Sequence, residues 1–254
     1  MIYFVDNSRF ADLKDFCTIQ TVYSCRIMCL ADSYGLGFDF VQFWLQYDEN
    51  GNTVSALSKA YGAVTVQTTE KSNIRELTEF LEIIGFSSLL SDKPLLKNRI
   101  ADTGIIMSLE KPQKIYNHDV EIIVNPDLNS VYKLLDNNRS EKFNVPDYED
   151  FILDMSHKTR HNTAICTAVK IGENIVSTAM TVAQSENTAL IGAVVTDFEF
   201  RRRGLGALCV NSLIELLGKR RIFIMRDKNE NELFYKSLGF ENSGRFYSFG
   251  GKNE

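Results

Sequence analysis

Apolar and polar positions alternate through DFVQFWLQY (39–47), TVSAL (53–57) and AVTVQT (63–68), the two-residue period of half-buried strands. The turn-rich DENGN (48–52) separates the first two. NIRELTEFLEII (73–84) changes to a helical period, and Gly85 follows where a C-cap glycine belongs. After a short apolar run at 105–109, the polar stretch Lys111-Pro112-Gln113-Lys114 predicts a domain boundary that gives 1–112 and 113–254. Beyond it the pattern predicts a strand over 118–124 and helices over 128–136 and 148–157, the second led in by Pro146 and Asp147. A hairpin of 164–169 and 175–182 turns through IGEN (171–174). The nearly all-apolar 188–196 is expected to be a central strand. A helix over 205–217 ends at Gly218, followed by a strand at 221–225, a helix at 231–238 capped by Gly239, and a closing strand at 245–249. The class expected is α+β, a three-layer arrangement with helices on a mixed sheet, with a smaller α/β domain at the N-terminus.

The halves resemble one another. GNTVSA (51–56) matches GENIVS (172–177) in pattern, AVTVQT (63–68) matches GAVVTD (192–197), and EIIGF (82–86) matches KSLGF (236–240). A divergent internal duplication explains this; so does the frequency of hairpins and Gly-Phe turns in any α+β protein. They differ where TTEKSNIREL (68–77) stands against TDFEFRRRGLGAL (196–208).

Composition narrows the class. The 254 residues are 44% hydrophobic and 24% charged, with a formal net charge of -5. That is ordinary globular composition and argues against nucleic-acid binding driven by overall charge. The odd set Cys17, Cys25, Cys29, Cys166 and Cys209 contains no CxxC pair and reads as buried, reduced thiols. The opening MIYFVDNSRF lacks the features of a signal peptide, and no run reaches the ~18 apolar residues of a membrane span. The expectation is a soluble cytoplasmic protein without nucleic-acid or membrane partners; a homodimer is left open.

The chemistry concentrates at Arg201-Arg202-Arg203-Gly204-Leu205-Gly206-Ala207, between a strand and a helix. Glycines at such a junction let backbone N–H groups converge with the helix N-terminus into an anion site, and arginines add charge. No GxxxxGK[ST] occurs, which excludes a P-loop. Gly204, Gly206 and Cys209 give only a partial dinucleotide fingerprint, with Asp227 as its candidate ribose-binding acid. A solvated surface run of arginines is the bland alternative.

Arg201-x-x-Gly204-x-Gly206 matches [QR]-x-x-G-x-[GA], and Asn231-Glu-Leu-Phe234-Tyr235-Lys-Ser-Leu238-Gly239-Phe240 matches an N..FY..LGF helix and turn. In this order and setting the two motifs resemble the GNAT superfamily of acyl-CoA N-acyltransferases, over about 114–254. No motif extends the resemblance to the first half, which would then be a degenerate GNAT-like copy. The resemblance implies a GNAT fold in the C-terminal half, acetyl-CoA as acyl-donor substrate and no metal. It implies direct transfer of the acetyl group to a small-molecule or peptide amine. CoA would lie against Val194, Val195, Thr196, Arg201, Arg202, Arg203, Gly204, Leu205, Gly206, Ala207 and Asn231. Tyr235 stands where the family keeps the acid that protonates the leaving thiolate, although an aromatic beside Phe234 can equally be core.

The general base stays open. The strand 188–196 carries no acid; Asp197, Glu199, His157, His161 and a water relay are alternatives. His157 and His161 share the i, i+4 spacing of metal ligands but lack the glutamate of HExxH. A non-catalytic acyl-CoA-binding or sensory module is the rival from another functional class.

Overall fold

A computed structural model of the chain describes residues 1–97, 99, 101–113, 120–140, 143–228 and 230–250. It divides into two compact units: Met1–Ile106 with Arg226–Glu230 and Ser243–Glu254, and Met107–Met225 with Asn231–Asn242. The sequence-based boundary at 112/113 lies a few residues past the Ile106–Met107 division. Lys114, in the boundary stretch, and residues 118–119, at the head of the strand expected over 118–124, lie outside the described residues.

The first unit contains β1 (Ile2–Phe4), α1 (Phe10–Cys17), α2 (Val22–Tyr34), β2 (Val41–Tyr47), β3 (Thr53–Ala60), β4 (Ala63–Thr68), α3 (Ile74–Ile84) and β5 (Ser88–Ser91). Most of β6 (Asp102–Leu109) and of β12 (Phe240–Gly250) also belongs to it. Its strands run β1-β2-β3-β4-β5-β12-β6, antiparallel from β1 to β4, parallel between β4 and β5. Alternation along β3 sends Ala56 into one core with Leu13, Phe16, Ile27, Phe43 and Leu45, and Leu57 into another with Trp44, Val64, Val66, Leu77 and Leu81. The aromatic stretch of β2 is therefore core. Local chemistry starts the helices where tertiary packing needs them: Thr21 and Ser24 form a capping box on α2, and Asn73 caps α3.

The second unit repeats the plan. It contains β7 (Glu121–Val124), α4 (Leu128–Asn137), α5 (Tyr148–Arg160), β8 (Cys166–Ile171), β9 (Asn174–Gln184), β10 (Thr188–Thr196), α6 (Leu205–Leu217), β11 (Arg221–Asp227, its last two residues in the first unit) and α7 (Glu232–Ser237). The strands run β11-β10-β9-β8-β7, with β10 and β11 parallel and the rest antiparallel. One strand, two helices, a three-stranded meander, a helix and a parallel strand thus occur twice. Helices α4 and α5 pack on one face, through Val131, Leu134, Phe151, Met155 and Cys166. On the other face lies α6, where the Cys209 carbonyl accepts from Thr167 Oγ1 at 2.8 Å. No described helix is long and apolar enough to cross a membrane.

Candidate active site

The site begins where β10 leaves β11. Their parallel pairing runs from Thr188 with Arg221 to Ile191 with Ile224 and stops there. On its other side β10 stays paired with β9 as far as Thr196 with Ser177, across a bulge between Gly192 and Val195. Ala193 carries the bulge at φ 47°, a left-handed conformation that costs a non-glycine residue about 1 kcal/mol or more. Val194 directs its side chain toward α6, whereas Val195 is buried against α4 and α5. Thr196 shares a 2.8 Å hydroxyl hydrogen bond with Ser177.

The arginine-glycine run is the turn that follows. Gly204 is the N-cap of α6, at φ 78°, and Arg202 is also left-handed at φ 65°. Successive turns of this kind bring backbone N–H groups to one side. The first helical bond is from Leu208 N to Gly204 O, at 3.1 Å. From Arg202 to Ala207, the backbone N–H groups have no acceptor among the described residues, and no side chain caps the helix. A Cβ on Gly206 would lie 3.2 Å from Thr196 Oγ1 and 3.8 Å from Phe234, so a side chain there would crowd the ground between strand, loop and α7. The arrangement can hold an anion through main-chain donors.

The three arginines divide the work. Arg201 donates from Nε to the Thr196 carbonyl at 3.0 Å and from Nη2 to Asn138 Oδ1 at 2.8 Å, tying the strand end to the C-cap of α4. Arg203 donates to the Glu199 carbonyl at 3.0 Å and lies over the Phe200 ring. Arg202 is exposed and makes no hydrogen bond or ion pair with the described residues. The guanidinium available to a ligand is thus the middle one. Asn138 and Ser177 were not legible as site residues, because an asparagine at a helix end and a serine in a strand carry no motif.

Tyr235 lies on α7, 9% exposed, its ring 5.0 Å from Phe234 and 6.1 Å from Phe240. Its hydroxyl has no hydrogen-bond partner among the described residues, and burial pushes its pKa up to about 12. Asn231 begins α7 in a left-handed conformation, φ 57°, without a side-chain cap. Of the candidate bases, Asp197 accepts from the Glu199 N–H at 3.0 Å, capping a short 3-10 turn. His157 on α5 and His161 at its C-cap stack with centroids 4.3 Å apart. Among the described residues no group of three or more His, Cys, Asp or Glu is placed to hold a metal.

The counterpart in the first unit is closed by its own side chains. There β4 and β5 also part, after Val66 with Ser91. Beyond that point Asp92 accepts from Thr68 N at 3.1 Å, and Lys93 donates to the Thr69 carbonyl at 2.8 Å. In the loop to α3, Thr69 N bonds Ser72 Oγ, Asn73 N bonds Gln46 Oε1, and Glu76 N bonds Asn73 Oδ1. Side chains thus take up several of the loop donors here, whereas those of the second unit's loop stay available.

A twice-repeated mixed sheet, with a parting parallel pair and a glycine-led helix beside it, defines the class as a GNAT-type acyltransferase fold. Residues 128–240 match the model of the Acetyltransferase (GNAT) family. Its members draw the acyl group from acetyl-CoA or another acyl-CoA. No curated protein matches the sequence significantly. Among solved structures, a Drosophila protein is similar with a TM-score of 0.69 and 12% identity, over 100% of this chain and 99% of that one. A tandem GNAT protein from the clavulanic acid biosynthesis pathway is similar at 0.59 and 12%, over 98% of each chain. A GNAT-family acetyltransferase from Colwellia psychrerythraea is similar at 0.56 and 11%, over 99% and 100%. At these identities the likeness is one of fold, and it spans both halves.

Proposed function

We propose that residues 113–254 form an N-acetyltransferase that moves the acetyl group of acetyl-CoA directly to an amine of a small molecule or peptide. The observation that carries this reading is the run of backbone N–H groups from Arg202 to Ala207 without acceptors, at the end of a strand that has parted from its neighbour. That loop suits the pyrophosphate, with Arg202 adding charge. The edge of β10 that has parted from β11, at Val194 and Thr196, suits the peptide-like pantetheine arm, and the motif resemblance adds Asn231. Arg201 and Arg203 then act by holding the loop.

In the transfer the amine nitrogen forms a bond to the thioester carbonyl carbon, and the C–S bond breaks. The amine proton leaves to a base or water. The departing thiolate takes a hydrogen bond from Tyr235 and is protonated. A phenol of pKa about 12 is a weaker acid than a thiol near 8.5. Tyr235 therefore acts chiefly on sulfur charge in the transition state, and the proton is made good from solvent. The first unit, with several of its loop donors held by side chains and Asp92 bonded to Thr68 N where the strands part, binds no acyl-CoA in this manner.

The test is CoA release and mass-spectrometric acetyl transfer from labelled acetyl-CoA across an amine panel. Expected are CoA binding and an acetylated amine. Binding without turnover on any amine would favour the acyl-CoA-binding module, and absence of binding would overturn the site.

A further inference from the structure

The first unit holds a second polar constellation, far in the sequence from the acyl-transfer motifs. Helix α2 covers β3 and β4, and Arg26 on it is only partly exposed. Arg26 makes one described hydrogen bond, from Nε to Thr65 Oγ1, long at 3.4 Å. Among the described residues no carboxylate pairs with it. The titratable groups acting on it are the thiols of Cys25 and Cys29, and burial disfavours its charge. A guanidinium nonetheless stays protonated. Directly across the β3–β4 ladder from Thr65 stands Ser58. Ser58 is 1% exposed, and its Oγ is a buried hydroxyl without a hydrogen-bond partner in the described structure. Facing residues of an antiparallel pair have Cβ atoms about 5 Å apart, so the two hydroxyls and the guanidinium share one patch. Gln67, two positions along the same face of β4, accepts at Oε1 from Thr21 Oγ1 at 2.8 Å and continues the polar surface.

Folded proteins rarely bury a hydroxyl unsatisfied or a cation without a counter-charge. We propose that Arg26, Ser58 and Thr65 form a receptor for the carboxylate of a small monoanionic molecule. The charge selects the class: one guanidinium balances one negative charge, whereas a phosphate dianion would leave a net charge in a half-buried site. The geometry agrees, because a carboxylate accepts from the guanidinium fork while both hydroxyls keep protons to donate. The site is independent of acyl transfer and stands or falls without it.

The experiment uses the full chain. Formate, acetate, propionate and lactate are titrated by calorimetry and by their effect on Tm, with orthophosphate as the competing anion. At least one monocarboxylate is expected to bind more tightly than orthophosphate and to raise Tm. Arg26→Met should weaken that binding at least about tenfold, and Ser58→Ala should weaken it by less. Ser58→Ala should leave the Tm of the ligand-free protein unchanged, because its hydroxyl holds nothing; it decides the matter if Arg26→Met fails to fold. The proposal is overturned if no monocarboxylate binds, if orthophosphate binds more tightly than all of them, if Arg26→Met binds as wild type does, or if Ser58→Ala lowers the ligand-free Tm.

Discussion

Gly206→Asp separates the binding role of the α6 loop from its folding role. Gly206 is the second residue of the helix, and its φ is not in the left-handed region. A Cβ there would meet Thr196 Oγ1 at 3.2 Å, which a shift of a few tenths of an ångström relieves. Replacing a helical glycine gains up to about 1 kcal/mol, and a carboxylate in the first turn gains about 0.3–1 kcal/mol more from the helix dipole. Folding is therefore expected to be unharmed. Binding is another matter, since the carboxylate occupies the concavity of N–H donors. At ~5 Å, each phosphate charge is opposed by about 0.8 kcal/mol at a dielectric of 80 and about 3.3 kcal/mol at 20. The loop is exposed, so the lower figure applies. For a doubly charged pyrophosphate it gives about 1.6 kcal/mol, a little over tenfold. Calorimetric titration with CoA should show at least that loss in Gly206→Asp. Gly206→Ala, which adds volume without charge, should stay within about threefold of wild type, or about 0.7 kcal/mol. A folded Gly206→Asp protein with unaltered CoA affinity would refute the placement of the pyrophosphate.

Four further outcomes are expected. Tyr235→Phe keeps the ring contacts and should lower kcat by about 10²-fold, the low end for general acids because the phenol is weakly acidic, with little change in KM or Tm; normal kcat would return Tyr235 to a packing role. The raised pKa of Tyr235, about 12, means the folded state holds this proton more tightly than the unfolded chain. Its contribution to stability is complete below pH 10 and lost as pH rises toward 12, so no alkaline limb from this group should appear in kcat up to about pH 10. Phe249, 2% exposed in the core with Val66, Leu77 and Leu81, should cost about 3–5 kcal/mol when replaced by alanine, measured by urea unfolding; a loss below about 1 kcal/mol would show that β12 contributes little to that core. Burial raises the thiol pKa of Cys17 and Cys209 to about 12 and of Cys166 to about 11. Since all five cysteines are buried, an aromatic disulfide reagent at pH 8 should label them only after unfolding, and rapid labelling of the native protein would contradict this.

Local pattern was enough for the elements whose periodicity coincides with a turn or cap. Glycines after α3 and α6, the IGEN turn and the proline before α5 delimit segments that formed within a few residues of where the sequence places them. The arginine-glycine loop was legible for the same reason: its chemistry is a backbone conformation, and the glycine that permits it is written in the chain. Other features depended on what each segment met in three dimensions. Strands β1 and β5 are too short to show a period, and β12 begins at Phe240 through the exposed, polar Glu241–Arg245, so its first half has no apolar alternation to read. Its last residues, Tyr247–Gly250, pair with β5 and place Phe249 in the first unit, a contact between segments more than a hundred residues apart in the chain. Likewise, no residue type distinguishes Arg202, left to face a ligand, from Arg201 and Arg203, held by Asn138, Thr196 and Glu199. Nor could the chain alone show that Ser58 and Arg26 lie against the same threonine. Periodicity records how a residue meets its own helix or strand; partners across the fold are chosen by packing, and only the tertiary structure decides them.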